Sequence, residues 1–245
     1  MKARQAGSRL FRSVLDFALP PRCGGCGTIV DDIDSFCTDC WRNLEFLQVG
    51  CLRCGLPLQA TDAETCGACL AQPPRLDRIR AAVAYGEISR SIALRLKYGR
   101  KTALARTMAR YMRPLVGDLP GNCVLVPVPL HRRRLWSRGF NQSVIVAREL
   151  SRRTGIPLAA DALSRTRSTP PLKGMGMRQR RRTVAGAFHA MQPAGLRGRT
   201  VILIDDVMTT GSTANACARV LKRAGAERVD LISWARVIRP MQVDV

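Results

Sequence analysis

Residues 201–213 read VILIDDVMTTGST. Four apolar residues in a row suit a strand buried on both faces, because a half-buried strand would alternate apolar and polar positions. The run ends on two adjacent acids, Asp205 and Asp206, and continues into hydroxyls grouped around Gly211. Two like charges at the end of a buried strand repel each other and resist burial, so folding alone supplies no reason for them. The next stretch, STANACARVLKRAGA, places Ala214, Cys217, Ala218 and Leu221 on one helical face and stops at Gly225. Strand, acidic end, hydroxyl-rich turn and helix thus form one unit.

The same alternation runs through the rest of the second part of the chain. RAAVAY, VLVPVPL, TVILIDD and RVDLISWARV have the apolar density of buried strands. SRSIALRLKYGRKTALARTMARYM reads as helical, and SVIVARELSRRTG reads as a helix ended by Gly155. Strands alternating with helices predict an α/β fold, a mainly parallel sheet with helices on both faces. Hydrophobic residues make up 46% of the 245 residues, enough for an ordinary core. No apolar run reaches membrane-spanning length. The start, MKARQAGSRLFRSVLDFALPPRC, carries Asp16 in its apolar patch and lacks a small-residue cleavage site. A cytoplasmic protein is expected.

Eight of the ten cysteines fall between residues 23 and 69 as CGGC, CTDC, CLRC and CGAC. The pairs are Cys23/Cys26, Cys37/Cys40, Cys51/Cys54 and Cys66/Cys69. Two such knuckles about ten residues apart supply four thiolates to one tetrahedral zinc, and this occurs twice. A disulfide framework is the alternative, and it belongs to secreted domains. Consecutive pairs are favoured for each ion over a cross-braced arrangement. Both sites would be full, which makes the zinc structural, and much of this segment's folding energy would come from the metal. Cys123 and Cys217 read as small buried hydrophobes, and His131 and His189 are assigned to no metal. The expected organisation is an N-terminal helix over 1–19, a double zinc ribbon over 20–72, a linker over 73–78 and an α/β domain over 79–240.

The chain has 40 Lys/Arg against 18 Asp/Glu, a formal charge of +22. Residues 1–75 are balanced, so the excess lies wholly in the second part. Such a field favours polyanions: nucleic acid, phosphorylated metabolites or an anionic membrane surface.

Ligands of open α/β sheets bind at the carboxyl ends of strands, where Asp205 and Asp206 fall. Loop N–H groups and hydroxyls before a helix cradle phosphate, whereas carboxylates suit vicinal hydroxyls or a cation. A ribose 5-phosphate satisfies both halves. The stretch VILIDDVMTTGST resembles, at every position, the phosphoribosyl pyrophosphate motif of type I phosphoribosyltransferases. That resemblance implies a type I phosphoribosyltransferase-like fold. It assigns Asp205 and Asp206 to the ribose hydroxyls, and Thr209, Thr210, Gly211, Ser212 and Thr213 to the 5-phosphate. VLVPVPLHRRRLWSRGFNQS puts a strand and a basic loop ahead of a helix, and resembles the first strand and pyrophosphate loop of amidophosphoribosyltransferases. Arg132, Arg133, Arg134 and Arg138 would neutralise departing pyrophosphate.

Zinc knuckles followed by LRLKYGRK, VPVPLHRRRLWSRGFNQS, RTRSTPP, GAF and VILIDDVMTTGST resemble the ComF family from about residue 15 to 238. Its members are associated with natural transformation and single-stranded DNA uptake. The resemblance implies phosphoribosyl pyrophosphate with Mg²⁺ as ligand, Asp205, Asp206 and Arg180 as catalytic, and DNA-uptake proteins as partners. Leu172 stands where the family usually has glutamine and Thr183 where asparagine is common. Residues 165–188 carry seven basic and no acidic side chains, with Pro170, Pro171, Gly174 and Gly176 marking a loop; by the resemblance it corresponds to the mobile catalytic loop of related transferases. A transferase is one expectation, its acceptor and oligomeric state left open. The other is a single-stranded DNA-binding module, with Trp136 and Phe140 stacking on bases between arginines.

Overall fold

The computed structural model describes residues 20–47, 50–58, 63–117, 121–168, 176–191 and 193–238. The expected N-terminal helix over 1–19 lies outside them. The strands are β1 (Arg78–Ala84), β2 (Cys123–Pro127), β3 (Leu163–Arg165), β4 (Phe188–Ala190), β5 (Thr200–Met208) and β6 (Arg228–Arg236). The α-helices are α1 (Thr38–Arg42), α2 (Gly67–Ala71), α3 (Glu87–Tyr98), α4 (Leu104–Met112), α5 (Arg132–Arg138), α6 (Gln142–Thr154), α7 (Met177–Val184) and α8 (Ser212–Arg223). Four strands form a parallel sheet in the order β1-β6-β5-β2, as the alternation predicts. β3 and β4 make a separate antiparallel pair that the sequence pattern does not announce.

Side chains on a strand alternate between faces, so each strand of the sheet feeds two cores. Ile202 and Ile204 pack with Leu96 of α3, Met108 of α4 and Leu150 of α6. Val201 and Leu203 pack on the other face with Ala214, Cys217, Ala218 and Leu221, the four residues expected to line α8. Helices therefore cover both faces. Cys123 and Cys217 are buried, as expected of small apolar side chains.

The cysteine-rich segment is part of these cores rather than an appendage beside them. Cys23, Phe36 and Cys40 belong to the core that holds Trp234, and the Phe36 ring centroid lies 6.3 Å from that of Trp234. Cys51, Cys54 and Cys69 belong to the opposite core. Between the two knuckles, Leu47 N–H donates to Ala82 O at 3.0 Å and Ala84 N–H donates to Glu45 O at 2.8 Å. These bonds pair residues 45–47 antiparallel with β1 and cover that sheet edge, which would otherwise expose unpaired backbone groups. The first two knuckles thus sit on one face of the sheet and the last two on the other.

Two expectations are refined. Residues 89–112 do not form one helix: α3 ends at Tyr98, and Arg100 takes φ 51° before α4 begins. Gly99 is the C-cap of α3, where a Cβ would lie 2.8 Å from Arg95 O, so the close turn favours glycine. Residues 73–78 are docked to the sheet through Leu76, which is fully buried, and Asp77. Asp77 accepts Val229 N–H at 2.8 Å and Lys222 Nζ at 2.8 Å. No helix among the described residues is long and apolar enough to cross a membrane.

Candidate functional site

β2 stops pairing with β5 at Ile204, whereas β6 continues beside β5 as far as Met208. β5 consequently loses its neighbour on one side just where Asp205 begins, and a crevice opens there. Asn141, which precedes α6, frames the crevice. Its Nδ2 donates to Val128 O at 3.0 Å and its Oδ1 accepts Ser143 N–H at 3.0 Å, fixing the start of α6 to the end of β2.

Asp206 is buried and Asp205 is half-buried. Lys97, from the last turn of α3, pairs its ammonium with Asp206 Oδ2. Gln142 Nε2 donates to Asp206 Oδ1 at 3.4 Å, and Ser143 Oγ donates to Asp205 Oδ1 at 3.3 Å. Burial, then the neighbouring Asp206 charge, pushes the Asp205 carboxyl up to about 7, with Lys97 opposing both. Burial works against the Lys97 charge, but the Asp206 and Asp205 carboxylates outweigh it and hold its pKa above the usual lysine range.

After β5, Gly211 adopts φ 69°, a left-handed conformation that favours glycine, and opens α8. A Cβ there would come within 2.8 Å of Met208 Cε. Thr210 Oγ1 and Ser212 Oγ are hydrogen-bonded at 2.9 Å, and Asn215 Nδ2 donates to Gly211 O at 3.0 Å. The first N–H groups of α8 have no intrahelical acceptor and lie at the positive end of its dipole. Thr209, Thr210, Gly211, Ser212 and Thr213 are thus gathered around one helix start, next to the acid pair.

The basic stretch after β2 is a short helix, α5, where the sequence suggests a loop. His131 Nδ1 accepts Arg133 N–H at 3.3 Å to cap it, and Gly139, at φ 79°, ends it. Arg138 joins the acid pair indirectly: its Nη1 donates to Gln142 Oε1 at 3.2 Å and its Nη2 to Tyr98 Oη at 3.1 Å. Arg132 and Arg133 stand exposed and Arg134 is half-buried. Trp136 is 89% exposed, whereas Phe140 packs against the core. The expected loop over 165–188 likewise contains α7. Thr183 lies on α7, and its carbonyl accepts Arg167 Nη2 at 2.9 Å. Leu172 lies outside the described residues, as does the side chain of Arg180.

A cleft of about 950 Å³ runs from Thr210 and Ser212 along α8 to the last cysteine knuckle. Arg75, Arg182, Arg219 and Arg236 line it, and no carboxylate does among the described residues.

The cysteines gather as Cys23, Cys26, Cys37 and Cys40, and as Cys51, Cys54, Cys66 and Cys69. Within each group the sulfur atoms lie within 4.8 Å of one another. Consecutive knuckles therefore share a site. None of the eight is in a disulfide, and the Cys26–Cys37 and Cys54–Cys66 sulfurs are 3.6 and 3.7 Å apart. A tetrahedral Zn–S₄ centre with bonds of about 2.3 Å has an edge of about 3.8 Å, so both groups fit zinc. Backbone N–H groups of Gly25 and Cys37 donate to Cys23 Sγ at 3.3 Å, and that of Cys66 donates to Cys51 Sγ at 3.3 Å. Arg95 and Arg236 donate to the carbonyls of Gly25 and Cys54, bringing positive charge beside each tetrathiolate. Both sites are closed and structural.

Lys97, Gln142 and Ser143 are site residues that the sequence does not single out. They occur inside LRLKYGRK and GFNQS, but nothing in either stretch says that it meets β5.

Residues 14–70 match the double zinc ribbon domain family, and residues 140–240 match the phosphoribosyl transferase domain family. The chain is 34% identical over 211 residues to the DNA utilization protein YhgH of Escherichia coli K12, covering 82% of this chain and 90% of that protein. It is 32% identical over 225 residues to Competence protein F of Haemophilus influenzae, covering 88% and 96%. Among solved structures, the allosteric regulatory enzyme of purine biosynthesis is similar over 53% of this chain and 25% of its own, with 22% identity and a TM-score of 0.36.

Proposed function

The chain belongs to the ComF family, whose double zinc ribbon and phosphoribosyltransferase domain it carries, and on that premise we propose that it binds phosphoribosyl pyrophosphate with Mg²⁺ in the service of DNA uptake. The observation that carries the ligand reading is the acid pair set beside a glycine-and-hydroxyl turn at a helix start, in the crevice where β2 leaves β5. Carboxylates accept from ribose hydroxyls, and the α8 N-terminus holds a phosphate; one ribose 5-phosphate joins the two.

In this reading Asp205 and Asp206 orient the ribose. Thr209, Thr210, Gly211, Ser212 and Thr213 hold the 5-phosphate. Arg138, tied to Gln142, and Arg132, Arg133 and Arg134 on the same short helix attract the pyrophosphate as charge gathers on it. Arg180 supplies a further cation from α7. Mg²⁺, when bound, supplies a charge clamp and template on the ligand's own oxygens. The hard oxygens of Asp205 and Asp206 suit its water or hydroxyl ligands better than direct coordination, because Lys97 already neutralises Asp206. Transfer would break the bond from the ribose C1 to pyrophosphate and form one to an acceptor.

The names of the relatives speak of DNA utilization and competence, and a second reading has its own support here. Trp136 is 89% exposed on a helix with four arginines, an arrangement that suits stacking on single-stranded DNA. We place the protein in the cytoplasm, where its thiols stay reduced, acting with other proteins of the uptake machinery.

Calorimetric titration of phosphoribosyl pyrophosphate with Mg²⁺, with single-stranded DNA as competitor, tests the assignment. Binding lost in Asp205→Ala/Asp206→Ala supports it. No binding by the zinc-loaded wild type sinks the ligand reading. DNA binding that survives the double change and weakens steeply with salt would leave the second reading in place.

A further inference from the structure

LRLKYGRK carries a lysine whose role the ligand reading leaves open. The Lys97 side chain is 19% exposed and that of Asp206 is 4% exposed, so the ion pair is largely shielded from solvent. Gln142 Nε2 occupies the other Asp206 oxygen at 3.4 Å. Asp205 Oδ1 accepts Asp206 N–H at 2.9 Å and Ser143 Oγ at 3.3 Å. Three of the four carboxylate oxygens therefore already have donors from the chain itself. A divalent cation bound to these carboxylates would need oxygen ligands at about 2.0–2.6 Å. It would also meet the Lys97 ammonium in the same place, and two cations sharing a low-dielectric crevice repel strongly.

We infer that Lys97 is the resident counter-cation of the acid pair: it closes Asp205 and Asp206 to divalent metal in the ligand-free protein and leaves them to recognise a sugar diol as hydrogen-bond acceptors. The diol half of this statement rests on the ribose reading above. The cation half does not. Arg138, a nearby cation, reaches Gln142 and Tyr98, and the buried Arg165 acts on Asp205, so removing the lysine takes away the ammonium paired with Asp206 and uncovers the acid pair in a half-dry crevice. Such a pair takes up a cation or a proton.

The test uses zinc-loaded protein and Mn²⁺ alone as probe, followed by its paramagnetic resonance signal. Wild type is expected to show no Mn²⁺ site that depends on Asp205 and Asp206. Lys97→Met and Lys97→Gln are expected to bind Mn²⁺ roughly tenfold more tightly or better, and Lys97→Arg to behave as wild type. Adding Asp205→Asn/Asp206→Asn to Lys97→Met should remove the gained site. A gain of binding cannot come from unfolding, so it separates a resident cation from a merely structural ion pair. Mn²⁺ bound by wild type through the acids, or no gain in either neutral variant, overturns the inference. Ribose 5-phosphate is the second probe. Wild type should bind it equally with and without added Mg²⁺, and Lys97→Met only with added Mg²⁺. If neither protein binds it, the ribose reading falls, while the Mn²⁺ result still decides the role of Lys97.

Discussion

The backbone N–H of Asp206 donates to the side chain of its own neighbour, Asp205, at 2.9 Å. This contact turns the two carboxylates into different groups. Asp206 lies inward against Lys97, while Asp205 receives a backbone donor and Ser143 Oγ.

The difference has a pH signature. Asp205 in the folded protein keeps its proton up to about pH 7, because burial and the Asp206 charge raise its pKa. An unfolded aspartate loses its proton at a pH of about 3.9. Between those values the native state binds more protons than the unfolded one, so stability falls as pH rises through the window. Asp205→Asn should remove that decline. Denaturant unfolding of zinc-loaded protein at several pH values across this window measures it; identical slopes in the two proteins would contradict the assignment. Diol binding should strengthen as pH rises through about 7, because the ionised carboxylate is the better acceptor.

Gly211 supplies a sharper test of the phosphate cradle. Its φ of 69° disfavours any L side chain, and an added Cβ would stand 2.8 Å from Met208 Cε, so alanine is strained there and the methionine tip must shift. Gly211→Ala should cost about 1–2 kcal/mol of stability. It should also weaken ribose 5-phosphate binding at least as much as it weakens folding. Titration of the sugar phosphate into both proteins reads the effect, and unchanged affinity would remove the loop from the site.

Zinc should stabilise the whole molecule. Cys23 and Cys40 pack in one core of the sheet, and Cys51, Cys54 and Cys69 pack in the other. Stripping the metal leaves thiolates or thiols to fill space inside both. Calorimetry should show one transition whose midpoint falls markedly after chelation. A second transition, unmoved by the chelator, would mean that the sheet is stable without its ribbon.

Trp136→Ala separates the two functional readings. At 89% exposure the side chain packs on little, so the change should leave stability within about 0.5 kcal/mol. If single-stranded DNA stacks there, affinity should fall by about 1–3 kcal/mol. Phosphoribosyl pyrophosphate binding should stay as it was. Fluorescence titration with short oligonucleotides reports the first quantity, and unchanged DNA affinity would exclude stacking at this position.

Much of the fold is legible in local patterns. The apolar run of VILI, the period of Ala214, Cys217, Ala218 and Leu221, and the paired CxxC spacing depend on neighbours close in sequence, and such patterns report local structure directly. The parallel sheet with helices on both faces and the zinc tetrads follow from them. Short basic stretches are harder. Arg132–Arg138 lacks an apolar period, so its helix is set by the His131 cap and Gly139 rather than by a buried face. The β3–β4 pair is only three residues per strand, too short to show alternation.

The sequence by itself determined which residue types meet at the end of β5, because Asp205, Asp206 and the turn around Gly211 are neighbours along the chain. Only the tertiary structure decided what faces them. Lys97, Gln142 and Ser143 arrive from α3 and α6 because the pairing of β2 stops one residue short of Asp205 and leaves that side of β5 open. The same holds for the cysteines. Their spacing specifies tetrahedral sites, but the pairing of residues 45–47 with the β1 edge sends one site to each face of the sheet. Long-range hydrogen bonds and shared burial carry that information, and no local pattern encodes them.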